Sequence, residues 1–104
     1  MNIGCDIIEN SRLKNKSQRF IDLILTVNEQ EEFKSGGLLY LCGRFAAKEA
    51  IIKAMPNTKQ CCFLDFEILN KSNGEPCCTT NSNIKISISH EKKFTIAFVI
   101  IFKC

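Results

Sequence analysis

The sequence predicts an α+β domain, with an N-terminal strand, then helices that include one long central helix, then an antiparallel sheet. Three observations support this class. Strand-like alternation occurs near both ends of the chain, helical periodicity fills the middle, and a short link joins the last two strands as in a hairpin. This order differs from the βαβ alternation of a parallel sheet. The 104 residues leave room for one domain, residues 1–104.

The first third of the chain contains one predicted strand and two predicted helices. Alternating side chains predict a strand from Asn2 to Ile8, and Ser17 to Leu25 has the spacing of a short amphipathic helix. A second helix is predicted to begin near Asn28, because this residue is a fair N-cap and acidic residues follow it. It should stop at Gly36-Gly37.

The long central helix precedes a change to strand-like periodicity. Leu38 to Met55 gives the longest helical signal, and it ends where Pro56 cannot continue a helix. Beyond it we predict a strand over Cys61 to Leu69, a turn over Lys71 to Gly74, and a hairpin of Ile84 to Ser89 and Phe94 to Phe102, linked by His90 to Lys93.

The last predicted strand is apolar on both faces. One face carries phenylalanine and isoleucine, and the other carries Ala97, Val99 and Ile101. The helices can cover one face only, so we expect the other to be covered by oligomerisation.

Composition and charge narrow the class of protein. With 45% apolar and 24% charged residues, the chain is typical of a globular domain and unlike a disordered or collagenous one. Its apolar run Phe98 to Phe102 is far short of the roughly 18 residues that span a bilayer. Asp6 and Glu9 interrupt the region where a signal peptide would be apolar, so we expect the cytosol and no membrane partner.

A basic segment and seven cysteines each leave alternatives open. Between Asn10 and Ile21 the chain has four basic residues and no acid. This segment fits either a solvated face or a docking face for an acidic protein. No other segment favours a nucleic-acid partner more strongly than this one, so we expect no nucleic-acid partner. The cysteines include the vicinal pairs Cys61-Cys62 and Cys77-Cys78 but no C-x-x-C. We interpret them as buried free thiols, with redox or metal chemistry as the alternative.

The long helix places a carboxylate on an apolar stripe. Leu38, Cys42, Phe45, Glu49 and Ile52 follow one another at intervals of four and three residues. Burying an ionised carboxylate on such a face costs on the order of several kcal/mol unless the carboxylate is paired with a cation or binds a metal. Glu49 therefore needs a partner.

Two partners for Glu49 are possible. One is Lys53, a turn further along the helix. The other is a metal ion shared with Asp6, which lies on the same strand face as Ile8. Two carboxylates form a hard oxygen site suited to Mg²⁺, and Arg44, Lys48 and Lys53 add positive charge that would suit a pyrophosphate.

Several segments, in order, resemble holo-[acyl-carrier-protein] synthase of the 4′-phosphopantetheinyl transferase superfamily. They are Gly4-Cys5-Asp6-Ile7-Ile8, Arg12-Leu13, Gly43-Arg44-Phe45-Ala46-Ala47-Lys48-Glu49-Ala50, Lys53-Ala54 and Ser87-Ile88-Ser89-His90-Glu91. The resemblance covers nearly the whole chain. It implies that family's fold and the transfer of the 4′-phosphopantetheine arm of coenzyme A to a serine of apo-acyl carrier protein, a step of fatty acid and lipid biosynthesis that releases adenosine 3′,5′-bisphosphate.

The resemblance also implies roles for individual residues. Asp6 and Glu49 would hold Mg²⁺, Lys53 would act on the leaving phosphate, and Ser89 and His90 would hold the nucleotide. A homotrimer with active sites at subunit interfaces is implied as well.

Two further roles accompany these. We expect Arg44 to contact the nucleotide, with Lys48 as a weaker candidate, and the resemblance assigns Arg12 to the face that meets the carrier protein. Either Glu49 or a water molecule on the metal would take the serine proton. The alternative function is a non-enzymatic module that binds an acidic protein through the segment Arg12 to Arg19.

Overall fold

A computed structural model describes residues 1–55 and 61–102. In chain order it contains β1 (Asn2–Glu9), a 3₁₀ turn (Asn10–Leu13), α1 (Gln18–Ile24), α2 (Val27–Ala54), a second 3₁₀ turn (Phe63–Asp65), β2 (Ile68–Asn70), β3 (Pro76–Cys78), β4 (Ile84–His90) and β5 (Phe94–Ile101). The predicted α+β class is confirmed. The predicted stop at Pro56 lies outside the described residues, although α2 ends at Ala54.

The main sheet has three antiparallel strands in the order β1-β5-β4. The first and last strands of the chain therefore pair, with Asp6 opposite Ala97, and the predicted hairpin of β4 and β5 is confirmed, with His90 opposite Thr95. Strands β2 and β3 form a separate two-stranded sheet. This topology brings β1 beside the strand that follows His90.

Helix α2 packs on one face of the main sheet through small side chains. Ala46, Ala47 and Ala50 are fully buried. The approach is closest at Gly4, where a Cβ atom would lie 2.0 Å from the carbonyl oxygen of Ala50. A side chain at residue 4 would push β1 away from α2, so this glycine brings the strand that carries Asp6 against the helix that carries Glu49.

The helix boundaries agree with the sequence at two points and differ at one. The helix predicted over Ser17 to Leu25 is confirmed as α1, for which Ser17 is the N-cap, and Gly37 (φ 67°) interrupts α2 at the predicted stop Gly36-Gly37. The helix begins at Val27, next to the predicted start near Asn28, but Asn28 is not its N-cap. Thr26 is the N-cap instead, because its hydroxyl accepts from the backbone of Glu29 while the Glu29 carboxylate accepts from the Thr26 N–H.

The predicted strand from Cys61 to Leu69 is mostly wrong. Within it, Phe63–Asp65 forms a 3₁₀ turn because the Asp65 carboxylate accepts a hydrogen bond of 2.9 Å from the Cys62 N–H. Only the start of β2 remains as strand. The short β3, which pairs with β2 across the predicted turn, had no signal of its own.

The outer face of the main sheet is apolar and exposed. Phe94, Ile96 and Phe98 on β5 are each 41–42% exposed, whereas the alternate residues Ala97 and Val99 are fully buried beneath α2. This confirms that β5 has two apolar faces of which the helix covers one.

Cysteines and helix hydropathy complete the description. Cys42 and Cys78 are buried free thiols, as predicted, whereas Cys5 and Cys62 are exposed. Cys104 lies outside the described residues. No helix within residues 1–55 and 61–102 combines the length and apolarity that crossing a bilayer needs.

Candidate active site

Asp6 and Glu49, the two carboxylates singled out in the sequence, line one cavity of about 410 Å³ between β1 and α2. Asp6 follows the alternation of β1, so it faces the helix with Gly4 and Ile8, and its side chain is only 16% exposed. Glu49 comes from the part of α2 that lies over this strand and is half-buried. The fold thus brings together two acids that are far apart in the sequence.

The electrostatics of Glu49 differ from those of an ordinary surface carboxylate. Burial raises its pKa, the negative charge of Asp6 raises it further, and Lys53 opposes both. In the part of the chain that the structure describes, no group donates a hydrogen bond to this carboxylate. Glu49 is therefore a partly desolvated acid that faces a second acid across a cavity.

Lys53 pairs with Asp6 and not with Glu49. Its Nζ lies 2.8 Å from Asp6 Oδ1 and also donates to the carbonyl oxygen of Cys5 at 3.2 Å. The predicted intrahelical pair of Glu49 and Lys53 is therefore wrong. The cause is geometric, because the close approach of β1 to α2 offers Lys53 a carboxylate and a carbonyl oxygen on the strand.

The stripe predicted on α2 is the edge of its buried face. Cys42 is fully buried, but Leu38, Phe45, Glu49 and Ile52 are half-buried. The centre of the buried face consists of the residues one or two positions away, such as Ala50 and Ile51. Glu49 therefore lies at the rim of the core, where it can reach the cavity.

Arg12 and Lys16 line the same cavity as the two carboxylates. Arg12 is exposed and lies within the 3₁₀ turn after β1, while Lys16 lies over the ring of Phe20 at 5.2 Å. The predicted partner-binding residue is thus at the mouth of the carboxylate cavity, where a docked macromolecule could reach both.

Arg44 lines a second cavity of about 340 Å³ together with Tyr40, Asn70 and His90. Its side chain is almost fully buried and is held by hydrogen bonds of 2.9 Å to the carbonyl oxygen of Ile68 and 2.7 Å to Asn70 Oδ1. The guanidinium lies 4.1 Å from the centre of the Tyr40 ring. Sequence reasoning missed Asn70, which has no local signal, whereas Tyr40 lies one helical turn before Arg44.

Ser89 and His90 point to opposite faces of the sheet. Both line a third cavity of about 360 Å³, which also includes Ile7 and the exposed Phe94 and Ile96. His90 belongs to the second and third cavities, and Ile7 to the first and third. Neighbouring cavities thus share lining residues, and the third includes residues of the exposed apolar face.

Lys48, the weaker nucleotide candidate, is not at any of these cavities. Its side chain is fully buried, and its Nζ lies 2.6 Å from both Glu29 Oε1 and the carbonyl oxygen of Ile24. All of these contacts are buried inside the protein, so Lys48 has a structural role and the expected contact between Lys48 and the nucleotide is wrong. Glu49, the next residue of α2, projects from a different side of the helix and therefore lines the carboxylate cavity.

The carboxylate cavity has the donor chemistry of a hard cation site. Two carboxylates meet there, and one of them has no hydrogen-bond donor among residues 1–55 and 61–102. Mg²⁺ is bound in proteins by one or two carboxylates, with the rest of its octahedron filled by water and phosphate oxygens. Asp6 and Glu49 therefore fit a magnesium ion that carries a phosphate ligand.

Comparison with known proteins gives a consistent result. The sequence model of the 4′-phosphopantetheinyl transferase superfamily matches residues 2–99. A holo-[acyl-carrier-protein] synthase of Geobacillus sp. is 40% identical, with 95% of this chain and 93% of the relative covered. One from Staphylococcus saprophyticus is 36% identical, with 95% of each chain covered.

Solved structures show the same likeness. A holo-(acyl-carrier-protein) synthase of Bacillus anthracis in complex with CoA (3′,5′-ADP) superposes with a TM-score of 0.86 at 39% identity, covering 96% of this chain and 94% of that one. The Helicobacter pylori holo-[acyl-carrier-protein] synthase in complex with coenzyme A gives 0.84 at 29% identity, covering 96% and 99%.

Proposed function

Because the chain belongs to the 4′-phosphopantetheinyl transferase superfamily, we propose that it performs the holo-[acyl-carrier-protein] synthase reaction at the cavity of Asp6 and Glu49. The enzyme transfers the 4′-phosphopantetheine arm of coenzyme A to a serine of apo-acyl carrier protein and releases adenosine 3′,5′-bisphosphate. The observation that supports this location is one cavity, bordered by the basic Arg12, in which Asp6 meets Glu49, a carboxylate that accepts no hydrogen bond from the residues that the structure describes.

Asp6 and Glu49 would hold Mg²⁺. When bound, the ion neutralises charge on the diphosphate of coenzyme A and polarises the phosphorus that is attacked. Burial raises the pKa of Glu49 and the negative charge of Asp6 raises it further, whereas Asp6 itself is paired with Lys53. Ligand binding at this site would compete with Lys53 for Asp6 Oδ1.

The reaction needs a proton acceptor and a cation near the leaving group. The serine oxygen bonds to the β-phosphorus, the bond from that phosphorus to the bridging oxygen breaks, and the bridging oxygen leaves on adenosine 3′,5′-bisphosphate. Glu49 is the base of the cavity that can take the serine proton. Lys53, once released from Asp6, is placed to stabilise or protonate the departing phosphate.

The nucleotide half of coenzyme A would occupy the second and third cavities. Arg44 is held rigidly by Ile68 and Asn70, and a fixed guanidinium suits phosphate recognition. His90 lines both cavities and Ser89 lines the third. Arg12, at the mouth of the carboxylate cavity, would meet the acidic carrier protein.

The exposed apolar face of the sheet supports a homotrimer with active sites at its interfaces. The third cavity includes Ile7, Phe94 and Ile96 of that face, so a neighbouring subunit that covered them would also close the wall beside Ser89 and His90. Both substrates are water-soluble, and we place the reaction in the cytosol.

A transfer assay tests the proposed function. The purified chain is incubated with apo-acyl carrier protein, coenzyme A and Mg²⁺, and the carrier is analysed by mass spectrometry. We expect one phosphopantetheine group to be added to each carrier. The transfer should stop when EDTA is present and resume when excess Mg²⁺ is added. An unmodified carrier, under conditions in which a known synthase modifies it, would instead favour a non-enzymatic binding module.

A further inference from the structure

Three polar side chains, those of His90, Thr95 and Asn10, form a hydrogen-bonded chain on the side of the sheet that faces α2. His90 Nδ1 is 2.8 Å from the hydroxyl oxygen of Thr95, and that oxygen is 2.7 Å from Asn10 Oδ1. Thr95 is fully buried and Asn10 is 5% exposed. The reaction proposed above makes no use of Thr95 or Asn10, so these two buried polar residues need another explanation.

The direction of each hydrogen bond follows from what each atom can do. The Asn10 amide nitrogen donates to the carbonyl oxygens of Glu91 at 3.1 Å and Lys92 at 3.5 Å, which fixes the amide so that its oxygen faces Thr95. An amide oxygen can only accept, so the Thr95 hydroxyl donates its one proton to it. Thr95 therefore has no proton for His90, and the hydrogen of the second bond belongs to His90 Nδ1.

The edge of the ring that carries Nε2 lies beside Gly43 of α2, and His90 is one of the residues that line the Arg44 cavity. A Cβ atom at Gly43 would lie 3.2 Å from His90 Cε1 and 3.5 Å from Nε2, so this glycine leaves room for that edge of the ring. Burial lowers the pKa of His90, and the charge of Arg44 lowers it further, which favours the neutral ring at neutral pH. The neutral ring then has hydrogen on Nδ1 and a lone pair on Nε2.

We propose that Asn10 and Thr95 are positioning residues that hold neutral His90 in its Nδ1–H tautomer and so present Nε2 to the nucleotide half of coenzyme A. The identity of this ligand rests on the proposed function, whereas the tautomer does not. Since Nδ1 keeps its bond to Thr95 in either charge state, Nε2 alone changes between acceptor and donor, and it does so at the surface of the cavity.

The tautomer can be read directly because His90 is the single histidine of the chain. Full-length protein labelled with ¹⁵N at histidine, without metal or coenzyme A, is examined by long-range ¹H–¹⁵N correlation at a pH where the ring is neutral. We expect the Nδ1–H tautomer to predominate in the wild type. A wild-type ring with hydrogen mainly on Nε2 would overturn the proposal without any variant.

Three variants separate positioning from general packing. Thr95→Val removes the acceptor and should shift the ring towards the Nε2–H tautomer, while Thr95→Ser keeps the hydroxyl and should restore the wild-type pattern. Ser87→Ala, on the outward side of β4, is the matched control and should change nothing at His90. An unchanged tautomer in folded Thr95→Val would contradict the proposal.

Kinetics then test the functional half. Thr95→Val should raise the KM for coenzyme A several-fold, with a smaller change in kcat, and Thr95→Ser should recover most of the loss. A shifted tautomer with an unchanged KM would refute a role towards coenzyme A. If the wild type lacks transferase activity, the proposed function fails while the tautomer measurement still stands or falls by itself.

Discussion

Neighbouring residues of α2 carry charges with opposite roles. Lys48 is fully buried and satisfied, since Glu29 and the carbonyl oxygen of Ile24 both lie at 2.6 Å. Glu49, the next residue, lies half-buried at a cavity beside Asp6, without a donor in the described ranges 1–55 and 61–102. The first pair joins the two parts of α2 on either side of Gly37, and Lys48 also bonds the last residue of α1, whereas the second pair leaves charge available to a ligand.

The two carboxylates that pair with lysines, Glu29 and Asp6, differ in how many hydrogen-bond donors surround them. Glu29 accepts from Thr26 N, Ile68 N and Lys48 Nζ, so its carboxylate has its full set of donors. Asp6 has one exposed, exchangeable partner in Lys53, whose side chain is 54% exposed. Buried charge marks stability when its partners are complete, and it marks function when they are missing. The four predictions below test this separation.

The largest expected effect is on catalysis at the cavity. Glu49→Gln keeps the shape of the side chain but removes its charge, and it should cost about 3–5 kcal/mol of transition-state stabilisation, or roughly two to four decades in rate. Rates of carrier modification by mass spectrometry would measure this, with circular dichroism to confirm the fold. Turnover within a few-fold of wild type would remove Glu49 from the reaction.

The matching change at the neighbouring residue should act on folding. Lys48→Met leaves Glu29 buried without its cation and should lower the free energy of unfolding by about 3–5 kcal/mol. Urea denaturation would measure the loss. Adding Glu29→Gln to Lys48→Met should recover part of it, because no unpaired charge remains. If Lys48→Met were as stable as wild type but inactive, the assignment of Lys48 as structural would be wrong.

A smaller effect is expected at the mouth of the cavity. Arg12→Glu should raise the KM for acyl carrier protein about tenfold, equivalent to about 1.4 kcal/mol, and should reduce its dependence on salt. The KM for coenzyme A should stay nearly constant. Lys85→Glu, an equal charge change at the start of β4 away from this cavity, serves as the control. If both variants raised the KM for acyl carrier protein equally, the net charge of the protein, and not a docking site at Arg12, would explain the effect.

The smallest effect links Glu49 to pH. Because its pKa is raised in the folded chain, its contribution to stability is present below the unfolded pKa and is lost as pH rises through the folded value. In metal-free buffer, Glu49→Gln should therefore have a Tm a few degrees above wild type at neutral pH, and the gap should close in acid. A gap that widened in acid would show that the sign of this pKa shift is wrong.

Features that depend on local contacts were predictable from the sequence, whereas features that depend on long-range contacts were not. The periodicity of β1, α1, β4 and β5 was sufficient to find them, and Glu49 was conspicuous on its helix before any fold was known. The partner of Lys53 was not predictable, because it required the close approach at Gly4. Burial of Lys48 likewise depended on Glu29, which lies 19 residues earlier.

The second cavity shows the same limit. Arg44 was identified by resemblance, but the groups that fix it, Ile68 O and Asn70, come from a short strand that forms only through pairing with β3. Thr95 and Asn10 are 85 residues apart and become neighbours because the first and last strands pair. Neither contact leaves a periodic signal in the sequence.

Binding of a divalent ion tests the paired carboxylates most directly. Mn²⁺, used as a spectroscopic substitute for Mg²⁺, is titrated into wild type, Asp6→Asn and Glu49→Gln in the presence of coenzyme A, and free Mn²⁺ is followed by electron paramagnetic resonance. We expect one ion per chain in the wild type and a large loss of affinity in each variant. Wild-type affinity in both variants would show that the ion, if it binds at all, is held elsewhere.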